Sequence, residues 1–167
     1  SMAIGQYTAA SGEASMAMGN NTGADGYYST AMGYNTTAGG TASTAMGQDT
    51  NASGPWSTAM GASGTASGAA ATAMGYKTTA SAIISTAIGN TTNASGFCST
   101  AMGAYSVATN NYCTAIGNRA FAGGDIQFAI GASGTAPTSQ GSTSYNNNVL
   151  SILKNGNVGI GTTGPTE

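Results

Sequence analysis

One glycine recurs every fourteen residues, at positions 5, 19, 33, 47, 61, 75, 89, 103, 117 and 131, with no insertion or deletion between copies. A count this strict marks a solenoid, in which each repeat forms one coil stacked on the last. Two positions before the glycine stands Ala in every copy: Ala3, Ala17, Ala31, Ala45, Ala59, Ala73, Ala87, Ala101, Ala115 and Ala129. Five positions after it stands Ala again, from Ala10 and Ala24 through Ala122 and Ala136. The two Ala columns are seven apart, and a further Gly follows the second column in seven of the ten copies. Each coil therefore reads as two similar halves. Two short strands joined by two tight turns fit that pattern, with Gly expected to supply the turn conformations.

Helical alternatives fail on elementary grounds. Fourteen residues cannot hold a helix pair with its turns, and Gly inside a helix costs roughly 1 kcal/mol per copy. A coiled-coil seam needs large apolar residues and has no use for paired glycines. Stacked parallel strands remain, an all-β parallel solenoid of about ten coils, which at ~4.8 Å per coil makes a rod of about 45–50 Å.

Side chains alternate across a strand. In Ser57-Thr58-Ala59-Met60, Ser57 and Ala59 face one way, Thr58 and Met60 the other. The position before the glycine is Met or Ile in all ten copies: Ile4, Met18, Met32, Met46, Met60, Met74, Ile88, Met102, Ile116 and Ile130. Unvarying Ala looks like a size limit, and size limits belong inside a coil. The Met/Ile column is then expected on the outside, as an apolar stripe of several hundred Å², more than monomers usually leave open. At ~25 cal/mol per Å², covering it would contribute on the order of 10 kcal/mol per chain before association costs. Self-association through Met18, Met32, Met46, Met60, Met74, Ile88, Met102, Ile116 and Ile130 follows as the expectation. The alternative has Met and Ile filling the coil and the Ala columns facing out.

The register ends at Ala136, since Tyr145 stands where the next glycine is due. Residues 1–136 form the expected roll, 137–148 a polar Ser/Thr/Asn linker, and 149–167 a separate tail. In that tail two β-rich runs flank Asn155-Gly156, a strong hairpin signal, and Thr162-Thr163-Gly164-Pro165 reads as loop. Ser1-Met2 precedes a repeat already under way at Ala3 and looks like a leftover of cloning, so a longer parent chain is expected.

Chemistry is sparse. The chain has three Lys or Arg, five Asp or Glu and no His, a charged fraction of 5% against roughly 25% in ordinary domains. No basic footprint for nucleic acid exists, and no apolar run approaches the ~20 residues needed to span a bilayer. Glu13, Asp25, Asp49, Asp125 and Glu167 recur in no column, so neither a paired general acid and base nor a calcium-binding roll is indicated. Without His there is no catalytic triad and no zinc set, and no cofactor motif is present. Cys98 and Cys113 lie one coil plus one residue apart, which points them to opposite faces as free thiols. The sequons at Asn20, Asn35, Asn51, Asn90 and Asn93 are accounted for by chance in an Asn- and Thr-rich chain. The candidate contact residues are aromatic: Tyr34 and Tyr76 directly after the glycine, Tyr7 and Tyr105 one later, and Tyr28, Trp56 and Tyr112 nine after it. Such side chains serve as binding anchors and as stacking platforms for sugars. They can equally cap turns or pack between chains.

The repeat, Ser-Thr-Ala-Met/Ile-Gly with Ala five on and Gly two further, resembles the head repeat of trimeric autotransporter adhesins of the YadA type over residues 3–136. That resemblance implies a left-handed parallel β-roll, three chains around one axis, an extracellular position and attachment to a host cell-surface receptor or glycan. Met replaces the family's usual Ile or Val, and Thr its common Val three before the glycine. The segment Lys154-Asn155-Gly156-Asn157-Val158-Gly159-Ile160-Gly161-Thr162-Thr163-Gly164-Pro165 resembles a stretch of tail-fibre and spike proteins, which implies a virion or phage fibre. The leading expectation is a non-enzymatic homotrimeric fibre segment. An ice-binding solenoid using its Thr columns is the alternative, and a glycan-degrading spike lacks the carboxylates it needs.

Overall fold

A computed structural model describes residues 1–124, 126–131 and 148–160 of the chain. The repeats stack as a parallel β-solenoid, and no helix occurs among the described residues. Each coil contributes one long and one short strand. The long strands run from Met2–Gln6 through Thr58–Ala62 to Ile126–Gly131, and the short ones from Gly23–Ala24 to Phe121–Ala122. The halves of a coil are thus unequal, five residues against two, where the paired Ala spacing implied similar ones. The stack makes about nine turns, and residues 132–136, the second half of the tenth copy, lie outside the described residues.

Register is strict. Thr58, Ala59, Met60 and Gly61 pair with Thr72, Ala73, Met74 and Gly75 in the next coil, and the same pairing recurs along the rod. A one-residue slip would turn every Ala outward, so the small-residue columns themselves hold the register. Between the two sheets lie four columns of small side chains. Both Ala columns are 0% exposed from Ala17 to Ala129. They are flanked by a Ser column (Ser29, Ser43, Ser57) and a Thr column (Thr36, Thr50, Thr78), also buried. The largest fully buried side chains are Thr22, Thr36, Thr50, Thr78 and Thr92, so the bore of the coil admits nothing much bigger than Thr. Several of these hydroxyls, among them Thr36 Oγ1 and Ser57 Oγ, have no hydrogen-bond partner. An unmet buried hydroxyl costs about 1–3 kcal/mol, so coil-to-coil backbone bonding and close packing must outweigh that term.

The corners differ from expectation. Among the described residues, seventeen non-glycine residues have φ between 50° and 60°, at seven-residue intervals from Tyr7 and Ala14 to Tyr112 and Arg119. The left-handed corners are therefore occupied by whatever residue the repeat supplies, not by Gly. What holds them is the neighbouring coil: Trp56 N–H donates to Thr41 O at 2.7 Å and Ser63 N–H to Gln48 O at 2.8 Å. The glycines act elsewhere. Gly61, the next-to-last residue of a long strand, has φ 111°, a region L side chains rarely enter. Gly54 lies outside the left-handed region, but a Cβ there would stand 2.1 Å from the Gly68 carbonyl oxygen.

Ile84 is the sharpest misfit, a β-branched residue at φ 57° with half its side chain exposed. Left-handed backbone costs such a residue about 1–2 kcal/mol, and little burial is lost on removing it. Ile84→Gly should raise stability by about 1 kcal/mol, a Tm gain of about 2–4 °C for a chain of this size. Ile83→Gly, one residue earlier and outside the left-handed set, should lower it. Thermal melts of the pair check both signs.

After the last parallel strand the chain turns back. Asn148–Leu153 pairs antiparallel with Ile126–Gly131 and in turn with Val158–Ile160, closing a 12-stranded sheet. The tail thus covers the final edge of the stack, where an open strand would invite further pairing. Between these strands Asn157 N–H donates to Asn155 Oδ1 at 3.1 Å. The expected linker 137–148 falls, apart from Asn148, outside the described residues, as does Thr162-Thr163-Gly164-Pro165.

Candidate functional site

The surfaces of the rod that can meet another molecule include the outer face of the long sheet and the two rows of corners that border it.

On the outer face, Thr30, Thr44, Thr58 and Thr72 alternate along the strands with Met32, Met46, Met60 and Met74, and all eight are half-buried. Met18, Ile88 and Ile130 are half-buried too, while Ile4, Met102 and Ile116 are exposed. None lies between the two strands of its own coil, so the alternative in which Met and Ile fill the interior does not hold. Stacked in register, the column covers itself in part.

The six aromatic candidates do not form one site. Tyr34 and Tyr76 are the last residues of long strands and Tyr105 lies at the corner that follows one, whereas Tyr28, Trp56 and Tyr112 lie at the corner that precedes a long strand, across the width of the coil. All are exposed, with Trp56 at 65% and Tyr112 at 67%, and Tyr7 surpasses both at 77%. On the first edge Lys77 Nζ sits 5.2 Å from the Tyr76 ring centre and the Arg119 guanidinium 5.5 Å from that of Tyr105. These cation–π contacts hold two of the chain's three basic side chains against their own rod. An amide ladder runs alongside, with Asn21 Nδ2 donating to Asn35 Oδ1 at 2.7 Å and Asn35 Nδ2 to Asp49 Oδ1 at 2.6 Å. On the second edge Phe97 meets Tyr112 edge-on, 5.4 Å between centroids at 84°. Tyr27, exposed one place before the corner residue Tyr28, is a surface aromatic that the column pattern does not single out.

Both cysteines are free thiols. Cys113 occupies the buried Ser column and donates its S–H to Ala122 O at 3.3 Å. Burial pushes its ionisation up, opposed by the backbone at Asn110 and Cys113 and by the Lys154 charge. Cys98 is a half-buried corner residue on the second edge. A thiol-disulfide reagent should therefore titrate Cys98 in the native protein and reach Cys113 only on unfolding. Two equally fast thiols would contradict the burial of Cys113. Among the described residues no three His, Cys, Asp or Glu side chains gather as metal ligands. No described helix could cross a membrane.

The spacing, the buried Ala and Ser positions and the outward Met/Ile position together define one recurring unit. The family model of the YadA head domain repeat, which holds two copies of that unit, matches residues 1–22, 10–36, 24–50, 38–63, 66–92 and 94–120. The chain belongs to the YadA head repeat family. In this YadA-type head the motif positions divide the work. Ser57 and Ala59 line the bore, Thr58 and Met60 form the outer face, and Gly61 takes the positive φ near the strand's end. The matches stop at residue 120, before the last long strand and the antiparallel tail. A comparison with curated proteins finds no match.

Proposed function

We propose that this YadA-type head is a non-catalytic, homotrimeric adhesive segment of an extracellular fibre, which presents its corner residues to a receptor or glycan on a host cell. The observation that carries the reading is the unbroken, partly exposed Met/Ile column on a rod with almost no charge. Three chains that met through this face would bury it, and three copies of a weak contact site would then act with avidity. The tail's Gly-Asn-Val-Gly-Ile-Gly-Thr-Thr run favours a virion or phage fibre as the parent, with a bacterial surface fibre as the other setting.

The Thr column interleaves with Met and Ile on the same face. A trimer would cover both, which weighs against an ice-binding plane, since that plane must stay open to water. Mass in solution separates these readings. Sedimentation equilibrium should give about three times 16.1 kDa. A monomer that inhibits ice recrystallisation would reverse the assignment.

A further inference from the structure

The antiparallel tail folds back beside the last corners of the second edge and creates a groove of about 460 Å³ there, lined by Thr109, Asn110, Asn111, Tyr112, Gln127 and Lys154. A volume of that order suits a small ligand unit. Its lining comes from three separate parts of the chain: the corner before the strand Thr114–Asn118, the strand Ile126–Gly131, and the turn after Asn148–Leu153.

The polar groups are arranged to be used. The Tyr112 ring is mostly exposed yet braced edge-on by Phe97, and its backbone N–H donates to Phe97 O at 2.8 Å, so one aromatic face is held open. Asn111 Oδ1 accepts from Phe97 N–H at 3.0 Å, which leaves Nδ2 as a donor. Asn110 Nδ2 donates to Gly124 O, which leaves Oδ1 as an acceptor. Gln127 is exposed and offers both. Lys77 and Arg119 lie over tyrosine rings, whereas Lys154 stands exposed at the groove, and among the described residues the lining carries no carboxylate.

We propose that this groove binds a carboxylate-bearing sugar of a surface glycan. The sugar ring stacks on Tyr112, its hydroxyls bond to the Asn110, Asn111 and Gln127 amides, and its carboxylate meets Lys154. An aromatic face with neutral donors and acceptors around it is the chemistry of a pyranose, and a single exposed ammonium selects an anionic one. The inference rests on the attachment reading above and assigns it a location and a ligand class.

The test measures binding of tetragalacturonate and 3′-sialyllactose, each beside its methyl ester, to the intact chain by calorimetry. At least one acid should bind at least tenfold more tightly than its ester. Lys154→Gln should erase that difference while leaving the ester's weak binding unchanged. Tyr112→Ala should abolish binding of both forms, and it should fold, because Ala14, Ala42 and Ala70 already occupy equivalent corners. Thr41→Ala, at an exposed position several coils away from the groove, should change nothing. Equal binding of acid and ester, no binding of either acid, or an unaffected Lys154→Gln protein would overturn the proposal. If the fibre attaches to cells and Lys154→Gln attaches equally well, the groove is wrong and the attachment reading stands. If the groove binds the acid but the fibre attaches to no cell, the attachment reading fails alone.

Discussion

Gly61→Ala should be among the most damaging single-methyl changes in the rod, lowering stability by about 3–5 kcal/mol. Two costs combine. The new Cβ would lie 2.1 Å from the Gly75 carbonyl oxygen, far inside contact distance, and the obstacle is backbone that cannot rotate away. The residue would also be held at φ 111°, where strain in a non-glycine residue costs about 1–3 kcal/mol. Overpacking of a filled site adds about 1–3 kcal/mol more. Because each coil touches only its neighbours, the break is local and divides the stack at the fifth and sixth copies. Circular dichroism melts should show a broadened transition or two transitions, and limited proteolysis should cut near residue 61. Thr41→Ala, at an exposed position, should stay within about 0.5 kcal/mol of the parent. A Gly61→Ala protein that melts like the parent would mean that the coils are not stacked in this register.

Met46→Asp combined with Met60→Asp should convert the proposed trimer to monomers without unfolding the coil. Both side chains lie on the outer face, half-buried and paired in register, so each coil can carry a carboxylate there in contact with water. In a trimer the same two positions from three chains would place six charges in one apolar seam. Burying an unpaired charge is prohibitive, and the loss of the Met contacts adds about 1.5–3 kcal/mol per side chain. Sedimentation should return 16.1 kDa with an unchanged β-sheet spectrum. Retention of the parent mass would remove this face from the interface. Loss of the fold would show that the column supports the coil itself.

The parts of this architecture that repeat were legible in the sequence. Ala59 and Ala66 announce a bore because a size limit recurs at every copy, and Met60 faces outward because strand alternation leaves it no other side. The corners were hidden. Trp56, Ile84 and Lys77 hold left-handed backbone, yet none is a residue type associated with it, because the stabilising hydrogen bond comes from the coil before and leaves no local mark. The two glycine columns looked alike and are not: Gly61 is needed for its φ and for space, Gly54 for space alone. The aromatic columns were readable as exposed, but their division between two edges depended on the unequal strand lengths. The groove at Tyr112 was beyond reach of periodicity, since Lys154 arrives by a single antiparallel return that nothing else in the chain repeats.

The corner hydrogen bonds separate what the rod shows from what makes it stand. Ala, Asn, Tyr, Trp, Lys, Ile, Cys and Arg all occupy these positions with the same backbone, so a corner can change its character without a structural penalty elsewhere. Each edge is in effect a row of interchangeable type set at ~4.8 Å intervals. Tyr28 and Trp56, two coils apart on one edge, stand about 10 Å from each other by that measure. Substitution rewrites one character, and duplication of fourteen residues lengthens the line by one.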